Sequence, residues 1–431
     1  MYTQLKLINL RFFIAISMLF IVFFLPLQGY WPLVIIPLSG DKIFTLVGLF
    51  VVFLNIKNTK FSKTEVKIIC LFAIMLLASL LNEQIKGVVF WSFLILISVL
   101  VGQAVRHPYG LKFIRSGVLY ALYIIFAFGL YQMIYILTKG SFPNELPFKP
   151  FVAPFVSENT LMERGGLRMG TAFYRFFLPF GRAQDLAFFA GCFSILYIAL
   201  SILLNDLKPR KASVILVLSL FIVILTGSRS SQYPFILALS VGVICVFFRA
   251  VRTGTVNTKS LIVIITIFLS IIFFLMINYD FLSDIFLQRM VDGDYSGHLG
   301  VRGEAFDAFS SLDLYHILLG VGHEQYSFWV GNGIYPHAHM TPLTFLIEYG
   351  VIFGFLFFLS LMYWLYSTCS TIADIHCTVK DSYIFYFIKY GAPCFIFLAN
   401  IFYEFGKAHF FYCFFIILII STSFQSDKRS L

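Results

Sequence analysis

One stretch of twenty residues carries a single charged side chain, at its first position, and reads DLAFFAGCFSILYIALSILL (residues 185–204). A helix needs about 20 mostly apolar residues to cross the hydrocarbon core of a bilayer. The stretch therefore predicts a membrane-spanning helix. Lys208, Arg210 and Lys211 follow it directly, which is typical of the cytoplasmic end of a span.

The rest of the chain repeats this pattern. Of its 431 residues, 60% are hydrophobic and only 12% are charged, whereas a soluble domain carries about 25% charged residues. This composition excludes an ordinary soluble enzyme and a disordered chain. The expected fold is an all-α integral membrane protein with about 12 transmembrane helices. The predicted spans are 12–29, 42–57, 66–82, 88–105, 117–137, 185–204, 212–227, 234–249, 260–278, 343–368, 383–402 and 408–424.

The basic residues predict the orientation of these spans. Of the 31 Lys and Arg residues, 18 fall in short loops on one side of the twelve-span arrangement. Because Lys and Arg favour the cytoplasmic side, both termini are predicted to be cytoplasmic. We interpret the net charge of +10 as this topological signal and expect no nucleic acid partner. The chain is then one polytopic domain, 1–431, with two long periplasmic loops at 138–184 and 279–342.

The first long loop concentrates positive charge on the predicted outer side. Two interpretations stay open, because the loop either captures an anionic ligand or is long enough to be translocated regardless of its charge. Its basic residues are Lys139, Lys149, Arg164, Arg168, Arg175 and Arg182.

A short turn between two spans holds the sequence Thr226-Gly-Ser-Arg-Ser-Ser231. An unpaired Arg at membrane depth is unfavourable by about 2.5–3.5 kcal/mol. A phosphate-bearing ligand satisfies it, because the planar guanidinium binds phosphate oxygens in pairs. The alternative is that Arg229 meets lipid headgroups at the interface.

The second long loop contains Gly300-Val-Arg-Gly-Glu-Ala-Phe-Asp-Ala-Phe309. The spacing of its apolar residues predicts an amphipathic helix that begins near Arg302 and holds that side chain over a cavity. The alternative is a local ion pair between Arg302 and Glu304 or Asp307.

A third motif, Tyr335-Pro-His-Ala-His-Met-Thr-Pro-Leu343, leads into a predicted span. In an extended segment His337 and His339 point in opposite directions, which argues against a shared metal ion. One His at the mouth of a membrane cavity suits general acid–base chemistry, since its ordinary pKa of ~6.5 lies near neutral pH.

These three motifs together resemble the O-antigen polymerase and O-antigen ligase superfamily. The resemblance rests on His339 with Leu343 and Gly350 at fixed spacing, on the Gly-Ser-Arg turn at 227–229, and on the Arg-Gly-Glu-Ala-Phe segment that begins at Arg302. The sequence departs from the superfamily at Met340, where a polar residue is frequent. Such enzymes are similar in architecture to the GT-C glycosyltransferases.

The resemblance implies a metal-independent, inverting glycosyltransferase of lipopolysaccharide biosynthesis in the bacterial inner membrane, with a periplasmic active site. Its substrates would be oligosaccharide repeats linked to undecaprenyl diphosphate, and membrane lipids and a chain-length regulator are further expected partners. His339 would be the general base, with His337 as the alternative, and Arg229 and Arg302 would stabilise the diphosphate. No cofactor or metal is expected. Further expected substrate-binding residues are Arg164, Arg168, Arg175, Arg182, His337 and Tyr335.

Several functions remain open on the sequence alone. We favour a polymerase over a ligase that transfers the glycan to lipid A–core, because of the basic first loop and the Leu-Gly-Val-Gly run at 319–322. A transporter or flippase of lipid-linked sugars would need cationic residues along its spans, and these are almost absent. A peptidoglycan polymerase would use an acid in the outer loop, such as Asp292, Asp294 or Glu304.

Overall fold

The computed structural model describes residues 2–27, 40–54, 59–139, 176, 178–180, 182–253, 294–329, 338–377 and 382–430. Every regular element in these ranges is helical. This confirms the predicted all-α membrane fold. The α-helices are Tyr2–Phe24, Gly40–Leu54, Lys63–Leu81, Ile85–Val105, Gly110–Lys139, Ala183–Leu203, Pro209–Leu225, Arg229–Thr253, Asp294–Ser310, Leu314–Leu319, Tyr326–Trp329, Thr341–Tyr349, Leu356–Thr371, Tyr383–Tyr386, Ala392–Phe402 and His409–Ser430.

Within the described ranges, 9 helical segments are long and apolar enough to cross a membrane. Gly40–Leu54 and Pro209–Leu225 are shorter helices at the positions of two more predicted spans. The twelfth predicted span, 260–278, lies outside the described residues. Two of these segments, Thr341–His376 and Tyr383–Phe402, each consist of α-helices joined by π-helical turns.

The helix Ala183–Leu203, which contains residues 185–203 of the apolar stretch described above, lies at the centre of the molecule. All of its side chains from Leu186 to Leu203 are buried. A helix that is apolar on every face is stable only when other protein or lipid surrounds it. Here neighbouring helices surround it, and Gly191 allows the ring of Phe395 to approach closely.

The alternation of helices gives the bundle two ends. We call the end that contains Ile85, Thr341 and His409 the site end, and the other the opposite end. Among the described residues, three ion pairs lie at the opposite end, and they join Glu65 to Arg106, Asp206 to Arg115, and Asp374 to Lys389. The last pair gives Lys389, a basic residue in the interior of a predicted span, a partner on a neighbouring helical segment.

Two glycines allow a loop and the segment Thr341–His376 to pack closely against each other near the site end. Gly320 and Gly350 have φ of +84° and +70°, in the left-handed region that favours glycine. A Cβ on Gly320 would lie 2.3 Å from the Glu348 carbonyl oxygen, and one on Gly350 would lie 2.3 Å from that of Leu318. The Gly320 segment therefore docks against the helix where it changes to π-helical geometry at Gly350–Phe355.

Candidate functional site

Arg302 lies on the helix Asp294–Ser310 and reaches across to two other segments. Its Nη2 donates hydrogen bonds to the carbonyl oxygens of His339 (3.2 Å), Phe402 (3.2 Å) and Ile401 (3.5 Å). The helix begins eight residues earlier than the sequence predicted. Ala305 and Phe309 pack inward as expected, but Phe306 is exposed.

The guanidinium of Arg302 is half-buried, and burial lowers its pKa. Its Nε is buried without a hydrogen-bond partner among the described residues, and none of its three hydrogen bonds involves Nη1. In the described part of the chain its partners are backbone carbonyls, not the carboxylates of Glu304 or Asp307. The local ion pair considered from the sequence is therefore not the arrangement of Arg302.

His339 stands just before the helix Thr341–Tyr349. Its φ is +53°, which is uncommon for a residue with a Cβ and is often associated with functional sites. Its ring lies 5.6 Å from the ring of Tyr403, and both imidazole nitrogens are shielded from solvent. His339 thus lies at the site end, where its carbonyl oxygen is bonded to Arg302 and its ring faces Tyr403 of the loop 403–408.

The Thr341 hydroxyl fixes this loop against the start of the helix. It accepts hydrogen bonds from the amides of Phe405 (3.0 Å) and Gly406 (3.3 Å). Its own proton is within reach of Asn400 Oδ1 (2.8 Å) and the Tyr403 carbonyl oxygen (3.1 Å). One buried threonine therefore ties His339 to the segment that carries Tyr403 and Glu404.

Buried acidic side chains lie beside this loop. Glu348 is fully buried and its Oε1 lies 2.6 Å from Lys407 Nζ, while its Oε2 has no hydrogen bond to a described residue. Glu404 is also buried, and neither of its oxygens completes a hydrogen bond of good geometry with a described residue, although the Thr344 hydroxyl and the Gly406 amide approach the carboxylate. Burial raises the pKa of Glu404 to about 7, against the lowering influence of Lys407, Thr344 and the Gly406 amide.

Tyr326 completes this group. Its side chain is buried among Ala305, Ala338, Leu343 and Ile347, yet its hydroxyl has no hydrogen-bond partner in the described structure. Burial raises the pKa of this phenol, and the negative charges of Glu304, Glu348 and Glu404 raise it further. The hydroxyl is therefore an electrostatic neighbour of these carboxylates.

The Gly-Ser-Arg turn is as short as predicted. The helix Pro209–Leu225 ends before it, Gly227 has φ of +58°, and Arg229 begins the next helix. The amide of Phe176 donates to the carbonyl oxygen of Leu225 (3.2 Å), which brings the end of the first long loop to this turn.

Of the remaining predicted site residues, the structure describes the side chain of Arg182 alone. Arg182 is half-buried and directly precedes the helix Ala183–Leu203. The Arg229 side chain lies outside the described structure. The other predicted residues outside the described ranges are Arg164, Arg168, Arg175, Tyr335 and His337.

The sequence did not single out Glu348, Glu404 or Lys407 as site residues. Glu348 is an isolated acid in an apolar run, and Glu404 and Lys407 lie in a short connection between two spans. A carboxylate is rarely buried without a partner. The charge of Glu348 within a predicted span was therefore the signal that could have identified this region.

The family model described as O-antigen ligase matches residues 214–359 of the chain. The matched segment contains Arg229, Arg302 and His339 and ends before Glu404. This finding supports the O-antigen polymerase and ligase superfamily, which the three sequence motifs had suggested. No curated protein matches the chain.

Proposed function

We propose that the protein is an O-antigen polymerase, which joins oligosaccharide repeats linked to undecaprenyl diphosphate at the periplasmic face of the inner membrane. One observation carries the proposal. The guanidinium of Arg302 is bonded to the main chain of His339, so that the proposed phosphate-binding cation and the proposed general base are neighbours at one end of the bundle. The family match includes both residues.

The chemistry follows from these two groups. A hydroxyl oxygen of the acceptor sugar attacks the anomeric carbon of the donor, and His339 accepts the hydroxyl proton. The bond between that carbon and the diphosphate oxygen breaks, and the diphosphate leaves with the electron pair. Attack opposite the leaving group inverts the anomeric configuration.

Arg302 stabilises the departing diphosphate. Negative charge develops on the leaving group in the transition state, and a fixed cation in a low-dielectric site stabilises that charge more than it stabilises the ground state. Arg302 is suited to this role because Nη2 anchors it while its buried Nε has no hydrogen-bond partner among the described residues. Arg229, which begins a helix beside the end of the first long loop, is the proposed second cation.

The preference for a polymerase over a ligase rests on the basic first loop. The Leu-Gly-Val-Gly run at 319–322 also favoured a polymerase on the sequence, but the structure gives this run a role in packing. Val321 and Gly322 donate backbone hydrogen bonds to the carbonyl oxygens of Ile347 (3.0 Å) and Glu348 (2.9 Å). The run therefore docks the loop onto the helix whichever acceptor is used.

The test is the lipopolysaccharide of a strain that lacks the gene, complemented with the wild type or a variant and separated on a gel. A polymerase predicts that the deletion leaves core with a single repeat. Bare core, together with accumulated lipid-linked polymer, would instead identify a ligase. A deletion that blocks delivery of lipid-linked repeats to the outer side would identify a flippase and contradict both.

His339→Asn tests the proposed base, because asparagine also tolerates a positive φ but does not accept a proton near neutral pH. We expect it to give the deletion pattern at a normal protein level. His316→Ala is the matched control, since His316 is partly exposed and paired with Asp313, and it should give the full ladder. A full ladder from His339→Asn would contradict the His-centred mechanism.

A further inference from the structure

Four side chains beside His339 have buried polar atoms without hydrogen bonds to described residues. The atoms are Arg302 Nε, Tyr326 Oη, Glu348 Oε2 and both carboxylate oxygens of Glu404. Buried polar groups in native proteins are nearly always hydrogen-bonded, and leaving one unpaired costs about 1–3 kcal/mol. Such a concentration at one place indicates that a polar ligand completes these bonds.

These atoms divide by charge into two halves. Arg302 offers only donors and positive charge, which suits a phosphate. Glu348 and Glu404 offer acceptors, and when ionised they repel a diphosphate. Lys407 binds Glu348 through Oε1, so the second oxygen of that carboxylate is not used by the ion pair.

The acidic half is suited to a neutral ligand with several hydroxyl groups. An ionised carboxylate only accepts hydrogen bonds, whereas the Tyr326 hydroxyl, and the Glu404 carboxyl while it is protonated, both donate and accept. A ligand that donates to two carboxylates and also exchanges a bond with a phenol must carry several O–H groups. A carbohydrate has this chemistry.

His339 lies between the two halves. Its carbonyl oxygen is bonded to Arg302, and its ring packs against Tyr403, the residue before Glu404. The stacking of Phe405 on Phe188 of the central helix, with centroids 3.8 Å apart, fixes the other side of Glu404. A sugar held at Glu404 would thus lie near the His339 ring, next to the segment 401–402 that Arg302 contacts.

We propose that Tyr326, Glu348 and Glu404 form the subsite for the acceptor sugar and hold it through its hydroxyl groups, apart from the diphosphate subsite at Arg302. This inference rests on the proposed function and adds to it the place of the second substrate. Glu404 lies outside the segment matched by the family model.

The experiment measures the binding of two probes to the full-length protein in detergent by saturation-transfer NMR. One probe is a phosphate-free oligosaccharide released from the surface polysaccharide of the source strain. The other is undecaprenyl diphosphate. The variants are Tyr326→Phe and Glu404→Gln, which each keep the shape of the side chain, and Arg302→Lys.

We expect Tyr326→Phe and Glu404→Gln each to weaken oligosaccharide binding by about tenfold or more, since each loses a hydrogen bond with a charged or buried partner. Binding of undecaprenyl diphosphate should be unchanged in both. Arg302→Lys should show the reverse pattern. The matched controls are Tyr363→Phe and Glu324→Gln at exposed side chains, and neither should change the binding of either probe.

The outcomes separate this inference from the proposed function. If the wild type binds undecaprenyl diphosphate but not the oligosaccharide, or if the two variants leave oligosaccharide binding unchanged, the sugar subsite is wrong and the proposed function stands. Equal loss of both probes in Glu404→Gln also overturns separate subsites. A wild type that binds neither probe overturns the proposed function and the subsite with it.

Discussion

The Nη2 atom of Arg302 lies 3.2 Å from the carbonyl oxygen of His339. The same nitrogen also meets the carbonyls of Ile401 and Phe402, which end the helix Ala392–Phe402. A cation at this position is favourable because the C-terminal end of a helix carries partial negative charge. Arg302 therefore joins three main-chain carbonyls in the structure, and the same side chain is proposed to stabilise the leaving diphosphate.

Arg302→Lys separates these two roles. Lysine keeps the charge near the carbonyls but lacks the planar fork that binds phosphate oxygens in pairs. We expect the thermal midpoint to change little and the rate of transfer to fall by about 10²–10³-fold, the effect of removing one preorganised donor. The measurement is polymer formation by purified protein together with its melting curve.

Arg115→Lys is the control for that substitution, since Arg115 pairs with Asp206 at the opposite end. It should leave the transfer rate unchanged. Equal rates for Arg302→Lys and the wild type would remove Arg302 from the chemistry and leave it a structural role alone.

The sequence predicted the spans well, because a membrane helix is specified by the apolarity of its own residues. It also singled out Arg302 and His339 as candidate site residues from local motifs, and their roles stay predictions. It did not predict that Glu404 lies beside Glu348, because that contact is set by the packing of the loop 403–408 onto the helix Thr341–Tyr349. The position of Tyr326 depends on a similar long-range contact.

Thr341→Val should loosen the loop 403–408. Valine has nearly the same shape but leaves the buried amides of Phe405 and Gly406 without the Thr341 acceptor, and an unpaired buried group costs about 1–3 kcal/mol. We expect a lower thermal midpoint and reduced polymer formation. Thr341→Ser keeps the hydroxyl and should therefore retain most of the wild-type thermal midpoint and polymer formation. Losses in the serine variant as large as those in Thr341→Val would contradict the hydrogen-bonding role.

Gly350→Ala should prevent the docking of the Gly320 segment. A Cβ at this position would lie within 2.4 Å of two main-chain atoms of Leu318, and φ is +70°. We expect a large loss of folded protein, measured as the yield of monodisperse protein after detergent extraction.

Gly303→Ala is the matched control for that loss. An added Cβ at Gly303 meets no atom of a described residue within 4 Å, and alanine is favoured over glycine in a helix by about 1 kcal/mol. We expect this variant to be extracted at least as well as the wild type. Similar yields for Gly350→Ala and Gly303→Ala would show that the close approach at Gly350 is dispensable.

The stability of the protein should depend on pH through Glu404. Burial raises the pKa of this carboxyl from 4.5 to about 7, so between these values the folded state holds a proton that the unfolded state has released. Folding stability then falls as the pH rises from 4.5 to 7, by roughly 3 kcal/mol at most. Lys407 and Glu348 are the neighbouring charges on Glu404, and they are the same in the variant.

Glu404→Gln removes this dependence, because its amide does not titrate. We expect the variant to melt at a higher temperature than the wild type at pH 8, with a much smaller difference at pH 5. The measurement is a pair of thermal unfolding curves in the same detergent at each pH, with Glu324→Gln as the control that shows no such trend. If the difference between Glu404→Gln and the wild type were constant across this range, or grew toward low pH, the raised pKa of Glu404 would be wrong.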